Sequence, residues 1–269
     1  MNTTRYSEID EVISFIHENI YDPLPLSRLA SYAAYSPYHF SRIFKERMGL
    51  SPLYYVSAMR LHKAKDLLLR TNLSVRDIGL EVGQQSLGTF TTRFTEKVGV
   101  TPSEFRNSKL QANNPLQMLQ EMNLQQTSFS NRSRQLCVEG SIHSDVPFKG
   151  VVLIGLFAKP IPEGLPLYGT LASSEGSFRF SNVKPGTYYL MATSVSWEMQ
   201  AMDILLPQTT LRTRSRTPIV VTPHSQVPYQ QVILYPPSPD DPPILVSLPV
   251  LMNNYIAKAA RHSSRNSNR

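Results

Sequence analysis

Residues 36–52 read SPYHFSRIFKERMGLSP, and residues 86–102 read SLGTFTTRFTEKVGVTP. Phe40 and Phe90, Phe44 and Phe94, Gly49 and Gly99, and Pro52 and Pro102 correspond at a single offset of 50. Just upstream the offset falls to 49, with Leu29-Ala30 matching Ile78-Gly79 and Ala33-Ala34 matching Val82-Gly83. One duplicated unit, with a single extra residue in the second copy's turn, accounts for both offsets. A chain built this way has to fold one small structure twice, which excludes most architectures at the outset.

The duplicated region reads as helical. Ile9, Val12, Ile13, Ile16 and Ile20 recur at the three-to-four spacing of an amphipathic helix, which ends at Asp22-Pro23. Leu26, Leu29, Ala30 and Ala33 mark a short helix whose small residues let another helix cross closely. Ser36-Pro37 sets a hydroxyl cap before a proline at the first helical position. That signal returns at Ser51-Pro52 and at Thr101-Pro102, where Glu104 completes a capping box. Leu53, Val56, Met59, Leu61, Ala64, Leu67 and Leu68 define a long, mostly buried helix between the copies. Ser74 with Asp77 opens another short helix, and Ser86 opens its partner. Each copy is then a short helix, a tight turn and a second helix. Such a helix-turn-helix can place its second helix in a DNA major groove about 12 Å wide.

The stretches LASYAAYSPYHFSRIFKERMGLSPLYYVSAMRLHKAKDLL and VRDIGLEVGQQSLGTFTTRFTEKVGVTPSEFR resemble the AraC/XylS-type DNA-binding domain, over roughly residues 8–107. The resemblance implies paired recognition helices in successive major grooves of double-stranded DNA. It also implies a transcription regulator, in the usual case an activator working with RNA polymerase.

In the first recognition helix Phe40, Ile43 and Phe44 fall on the apolar side, opposite Tyr38, Ser41, Arg42 and Lys45. By resemblance Tyr38, Ser41 and Arg42 take the base-facing positions, with His39 beside them. His39 reads equally well as a neutral histidine packed next to Phe40. An arginine bidentate to guanine is the commonest specific contact, each such pair discriminating by about 1–3 kcal/mol. Lys45 is assigned to phosphate, which positions a protein without specifying sequence. The equivalent face of the second helix is Leu87, Gly88, Thr91 and Thr92. Thr92 stands where Arg42 stands in the first copy, and Arg93 aligns with the inward Ile43, from where it can snorkel to a phosphate. Leu87 and the threonine methyls suit thymine methyls. The expected reader is asymmetric: helix one specifies and helix two mostly positions.

Residues 108–134 are rich in Gln and Asn and read as a solvent-exposed linker with one short helical pattern (Leu116, Met118, Leu119, Met122), part of which can instead pack as a helix on a neighbour. Beyond 135 the period becomes that of strands: QLCVEGSI, VVLIGLF at 151–157, SFRF at 177–180, a Lys184-Pro185-Gly186 turn, 188–195, 219–223 and 230–236. The fold class expected is therefore multidomain, all-α plus all-β. Residues 1–107 form a bundle of about seven helices, 108–134 a linker, 135–252 an antiparallel β-sandwich and 253–269 a disordered basic tail. GSFRFSNVKPGTYYLMA resembles the carboxypeptidase-regulatory-like, transthyretin-like β-sandwiches, which implies a module without a catalytic centre. ILVSLPVLM at 244–252 is too apolar to float free and should dock in a groove or pair two chains.

For the second domain three segments are candidate effector or partner surfaces: KPIPEGLPLYG at 159–169, SVSWEM with Trp197, and LRTRSRTP. On a strand Arg212, Arg214 and Arg216 share a face, an anion-binding stripe if exposed and a pairing-resistant edge otherwise. Trp197 reads alternatively as a core or rim residue. The domain either senses a small molecule or is a ligand-free interaction or dimerisation module.

The formal charge of +7 permits a polyanionic partner. Residues 1–107 hold 13 Lys and Arg against 11 Asp and Glu, so a DNA surface there depends on placement rather than excess. A single cysteine, Cys137, excludes an internal disulfide framework and fits a reducing compartment. No signal peptide opens the sequence and no apolar run reaches the roughly 20 residues of a membrane span, so a cytoplasmic location is expected. HExxH, G-x-S-x-G and clustered metal-ligand spacings are missing, and His143 and His224 are isolated; no enzyme, metal or cofactor is expected.

Overall fold

The computed structural model describes residues 4–84, 86–122, 136–223 and 226–267. The chain divides into two compact units, one of Met1–Asn107 with Ser238–Leu245 and one of Ser108–Pro237 with Val246–Arg269.

The first unit is built from α1 (Thr4–Glu18), α2 (Leu26–Tyr32), α3 (Pro37–Met48), α4 (Pro52–Arg70), α5 (Val75–Glu81), α6 (Leu87–Val98) and α7 (Pro102–Asn107). Its α1 forms because Ile9, Val12, Ile13 and Ile16 on one face join a single apolar cluster with Leu29, Phe40, Ile43, Phe44, Tyr55 and Met59. The duplication is visible atom by atom. Both short helices end in a Schellman turn: Tyr35 N–H donates to the Ala30 carbonyl at 2.9 Å and Gln84 N–H to the Gly79 carbonyl at 2.8 Å. Ser36 accepts from the His39 N–H and Ser86 from the Thr89 N–H, capping α3 and α6. Gly49 and Gly99 end those helices in the left-handed region. Inside, Phe40 and Phe44 sit 5.6 Å apart at 56°, and Phe90 and Phe94 sit 5.8 Å apart at 58°. The repeat runs further than the sequence reading took it, because Phe44 meets Tyr55 edge-on at 5.7 Å and Phe94 meets Phe105 edge-on at 5.7 Å. Thr101 and Glu104 form the expected capping box, Glu104 accepting from the Thr101 N–H at 2.8 Å, whereas Ser51 makes no side-chain cap bond.

The second unit begins with a 3₁₀ turn (Ser108–Leu110) and α8 (Asn114–Glu121). The described part of the expected 108–134 linker thus follows the packed-helix alternative and not the solvated one. Pro115, Leu116 and Leu119 of α8 are buried, and the helix packs against the C-terminal helix that starts at Leu248; residues 123–135 lie outside the described ones. Then follow β1 (Cys137–Ser144), β2 (Gly150–Phe157), β3 (Tyr168–Ser173), β4 (Gly176–Ser181), β5 (Gly186–Ser196), α9 (Ala201–Leu205), β6 (Arg212–Arg214), β7 (Ile219–Val221), β8 (Gln230–Leu234) and α10 (Leu248–Ser267). One sheet has the order β4-β1-β8, and the other runs β3-β2-β5-β6 with β7 also pairing β5. Val138, Ile142, Phe178 and Val232 of the first sheet share an apolar cluster with Val152, Leu156, Leu190 and Ala192 of the second. The turn between β4 and β5 is pinned by two tyrosines: Tyr188 Oη donates to the Lys184 carbonyl at 2.7 Å, and Lys184 N–H donates to Tyr168 Oη at 3.0 Å.

The sheets are not wholly antiparallel, since β8 runs parallel to β1 from Gly140/Gln230 to Ser144/Leu234. That direction is open to β8 because a long stretch of chain, β2 through β7, intervenes before it returns. The tail expected to be disordered over 253–269 belongs instead, as far as Ser267, to α10, whose Leu248 and Met252 are buried.

Candidate nucleic-acid interface

Capping and core packing together decide which side chains α3 and α6 turn outward. With Phe40, Ile43, Phe44 and Met48 buried, the opposite face of α3 presents Tyr38 at 83% exposure, Arg42 and Lys45, with Ser41 half-buried between them. His39 is half-buried and sits edge-on to Tyr35 at 4.9 Å, while the Tyr35 hydroxyl donates to the Glu8 carboxylate of α1. His39 thus packs on the turn through the Tyr35 ring.

On α6, Leu87, Gly88, Thr92 and Arg93 are exposed and Thr91 is half-buried. Among the described residues, the helix's own backbone aside, nothing lies within 4 Å of the place a Cβ on Gly88 would occupy. Arg93 occupies the position of buried Ile43 yet lies outside, its Nη1 donating to Gln84 Oε1 at 3.2 Å. Ile43 is inward because α1 covers that flank of the first copy, whereas α6 packs against α5 and α7. Lys97 Nζ donates to the Tyr54 hydroxyl at 2.6 Å and lies 4.6 Å from that ring's centroid, a link the sequence pattern did not reveal. A cleft of about 340 Å³ opens at the start of α6, lined by Arg76, Gly79, Leu80, Gln84, Ser86 and Leu87. Arg76 and Gln84 were also missed; their only signal is proximity in sequence to the turn.

The stripe of Arg212, Arg214 and Arg216 is not an exposed anion surface. Arg212 and Arg214 share the predicted strand face, but both are buried; Arg216 alone is exposed, beyond the end of β6. The Arg212 guanidinium donates to the carbonyls of Pro207 (2.9 Å), Gln208 (3.1 Å) and Thr210 (3.1 Å), closing its own loop. Trp197 is half-buried just past the end of β5, its backbone N–H donating to the Lys149 carbonyl at 3.0 Å. His224 lies outside the described residues. Among the described residues no helix is long and apolar enough to cross a membrane.

A family model described as a helix-turn-helix domain matches residues 29–108. The bifunctional transcriptional activator/DNA repair enzyme AdaA of Bacillus subtilis is 37% identical over 98 residues, 36% of this chain and 46% of AdaA. The chain thus spans less than half the length of that relative. The HTH-type transcriptional activator AarP of Providencia stuartii is 32% identical over 102 residues, 38% of this chain and 76% of AarP. A solved AraC-type transcriptional regulator from Chromobacterium violaceum, 31% identical, covers 40% of this chain and 96% of that protein with a TM-score of 0.38.

Proposed function

The chain belongs, through residues 29–108, to the AraC-type family of helix-turn-helix transcription regulators, and from that premise we propose that it reads duplex DNA with α3 and α6 in successive major grooves. The observation that supports this reading most directly is the shared geometry of the two copies, which turns the face of each second helix opposite its buried phenylalanines outward. Tyr38, Ser41 and Arg42 face bases, with His39 held at their edge by Tyr35; Lys45 takes a phosphate. On the second helix Leu87, Gly88, Thr91 and Thr92 meet the groove without a charged base reader, and Arg93 takes a phosphate from outside the helix's apolar face. Sequence is therefore specified mainly by α3. The chain acts as an activator, as AarP is named.

The second unit is a β-sandwich whose role is partner binding rather than sensing of an anionic effector. Favouring this, Arg212 is committed to three carbonyls of its own loop and Arg214 is buried, so the arginine stripe offers no anion site. Concentration-dependent assembly in sedimentation, with no ligand-induced shift of the thermal midpoint across a metabolite panel, is the result expected; a saturable shift would restore sensing.

The DNA reading is tested by selecting bound sequences from a randomised duplex pool with the full chain and with Arg42→Ala. Two patches about one helical turn apart are expected, the second degenerate, and Arg42→Ala should erase the first. No enrichment at low salt would refute the reading.

A further inference from the structure

Residues 238–245, SPDDPPIL, belong to the DNA-reading unit although about 130 residues separate them from its last helix. The segment contains no helix or strand. A local turn shapes its first half: Asp241 N–H donates to the Ser238 carbonyl at 2.9 Å, and Ser238 N–H donates to the Asp241 carboxylate at 3.0 Å. The turn presents the buried carboxylate of Asp240 to Arg47 in the last turn of α3, 3.3 Å from Nη2. The same nitrogen lies 3.4 Å from Asp10 of α1.

The second half of the segment meets α4. Lys65 is wholly buried there, and its Nζ donates to the carbonyls of Ile244 (3.1 Å) and Leu245 (3.2 Å) while lying 5.3 Å from the Phe105 ring of α7. A lysine in such a place needs those acceptors, because an amine desolvated without hydrogen bonds is strongly unfavourable. Pro239, Pro242 and Pro243 restrict the undocked chain, so seating the segment loses less entropy than eight ordinary residues would. One irregular segment thus joins the carrier of Arg42 to the helix that sets the spacing between the two copies.

We propose that residues 238–245 are a strap whose seating on α3 and α4 makes the DNA-reading unit competent, so that strap seating and DNA binding strengthen one another. The coupling must be reciprocal, since each equilibrium shifts the other by the same factor. It rests on the reading that α3 meets DNA. The strap's neighbours in sequence, Pro237 and Val246, belong to the other unit, so the strap is a covalent path by which a partner of that unit can act on α3.

The test is hydrogen exchange on the full chain, alone and with the duplex enriched in the selection above, using Asp240→Asn, Lys65→Met and, as control, Arg70→Ala. Asp240→Asn should speed exchange about tenfold in the strap and the last turn of α3, leave β2 and β5 unchanged, and weaken duplex binding about tenfold. Lys65→Met keeps the buried volume and should release the strap with α3 to α6 still folded, which serves if Asp240→Asn misfolds. Arg70→Ala breaks only the exposed pair with Asp66 and should move neither readout. In the unmodified chain the duplex should slow strap exchange. The proposal falls if strap amides of the unmodified chain exchange like a free peptide, or if a released strap leaves duplex affinity unchanged. A protected strap in a chain that binds no duplex would sink the DNA reading and the coupling with it, while leaving the seating itself standing.

Discussion

The two helix-turn-helix copies agree wherever the backbone must be terminated or a ring must pack, and they differ wherever a side chain meets something outside the copy. Caps, Schellman turns and phenylalanine pairs superpose in kind at fixed offsets. By contrast Ile43 is buried beneath α1 while Arg93 lies outside against Gln84, and Tyr55 and Phe105 have different polar neighbours. Tyr55 Oη lies 2.9 Å from His17 Nε2, whereas Phe105 has Lys65 Nζ over its face, 5.3 Å from the ring centroid. What a helix-turn-helix requires of its sequence is thus short and local, and the rest of each copy is free to follow its surroundings.

The largest effect that can break this comparison concerns those two polar neighbours. Burial pushes Lys65 down from 10.5 to about 7, and burial with help from Lys63 pushes His17 below 6.5. Both native pKa values are depressed, so the unfolded chain binds more protons and stability rises with pH across each window. For Lys65 the window runs from about 7 to 10.5, with an upper limit of about 5 kcal/mol; for His17 it lies below 6.5. Denaturant unfolding at several pH values should show the alkaline rise in the parent and lose it in Lys65→Met. A Lys65→Met profile that still climbs through this range would mean that Lys65 beside Phe105 is not the source of the rise.

Next in size are the rings. Phe44→Ala and Phe94→Ala should each destabilise the unit by about 3–5 kcal/mol. Exchange should then loosen α6 and α7 in the second variant while α1 keeps its protection, because α1's apolar partners lie in the first copy. Equal loosening of both copies by either variant would show one cooperative core and dissolve the distinction.

How much of this was legible follows from the same division. Ser36, Ser86, Gly49 and Gly99 announce helix ends through chemistry confined to a few residues, and the period of Phe40, Phe44, Phe90 and Phe94 announces the core. The strap was not legible, since Lys65 looks like an ordinary polar position on α4 until carbonyls from about 180 residues away reach it. The α10 helix is legible in Leu248, Met252, Tyr255, Ile256 and Ala259, which recur at helical spacing, although the charged and polar residues that follow carry the pattern of a disordered tail. The strand β3 (YGTLAS) has only two buried residues and gives no alternation, so sequence pattern passed over it. Arg212 was misjudged because alternation along a strand fixes which residues share a face, not which face is covered.

The third effect bears on reading rather than stability. Arg42→Ala should discriminate less by about 1–3 kcal/mol at one base pair, and Thr92→Ala by well under 1 kcal/mol, measured as competition between the selected duplex and single-base variants. Equal losses would make the reader symmetric after all.

The smallest effect lies in the turns, where the copies share a backbone but not a residue. Ala34 and Gly83 both have positive φ, 55° and 76°, a region costing a residue with a side chain about 1–2 kcal/mol. The swap is therefore unequal in its two directions. Ala34→Gly removes strain but gives the unfolded chain more freedom, so the net gain should be about 0.5–1 kcal/mol. Gly83→Ala adds the strain and brings a Cβ within 2.9 Å of the Arg60 guanidinium, which itself donates to the Ile20 carbonyl at 3.1 Å and the Asp22 carbonyl at 2.6 Å. Arg60 is thus held from the other side and has little room to retreat, so Gly83→Ala should lose at least as much as Ala34→Gly gains. Thermal midpoints of the two single variants and the double variant decide it. Were Ala34→Gly to destabilise, the first copy's turn would have to be held by its neighbours, Tyr35 on Glu8 above all, and its match to the second turn would be one of shape without equal strain.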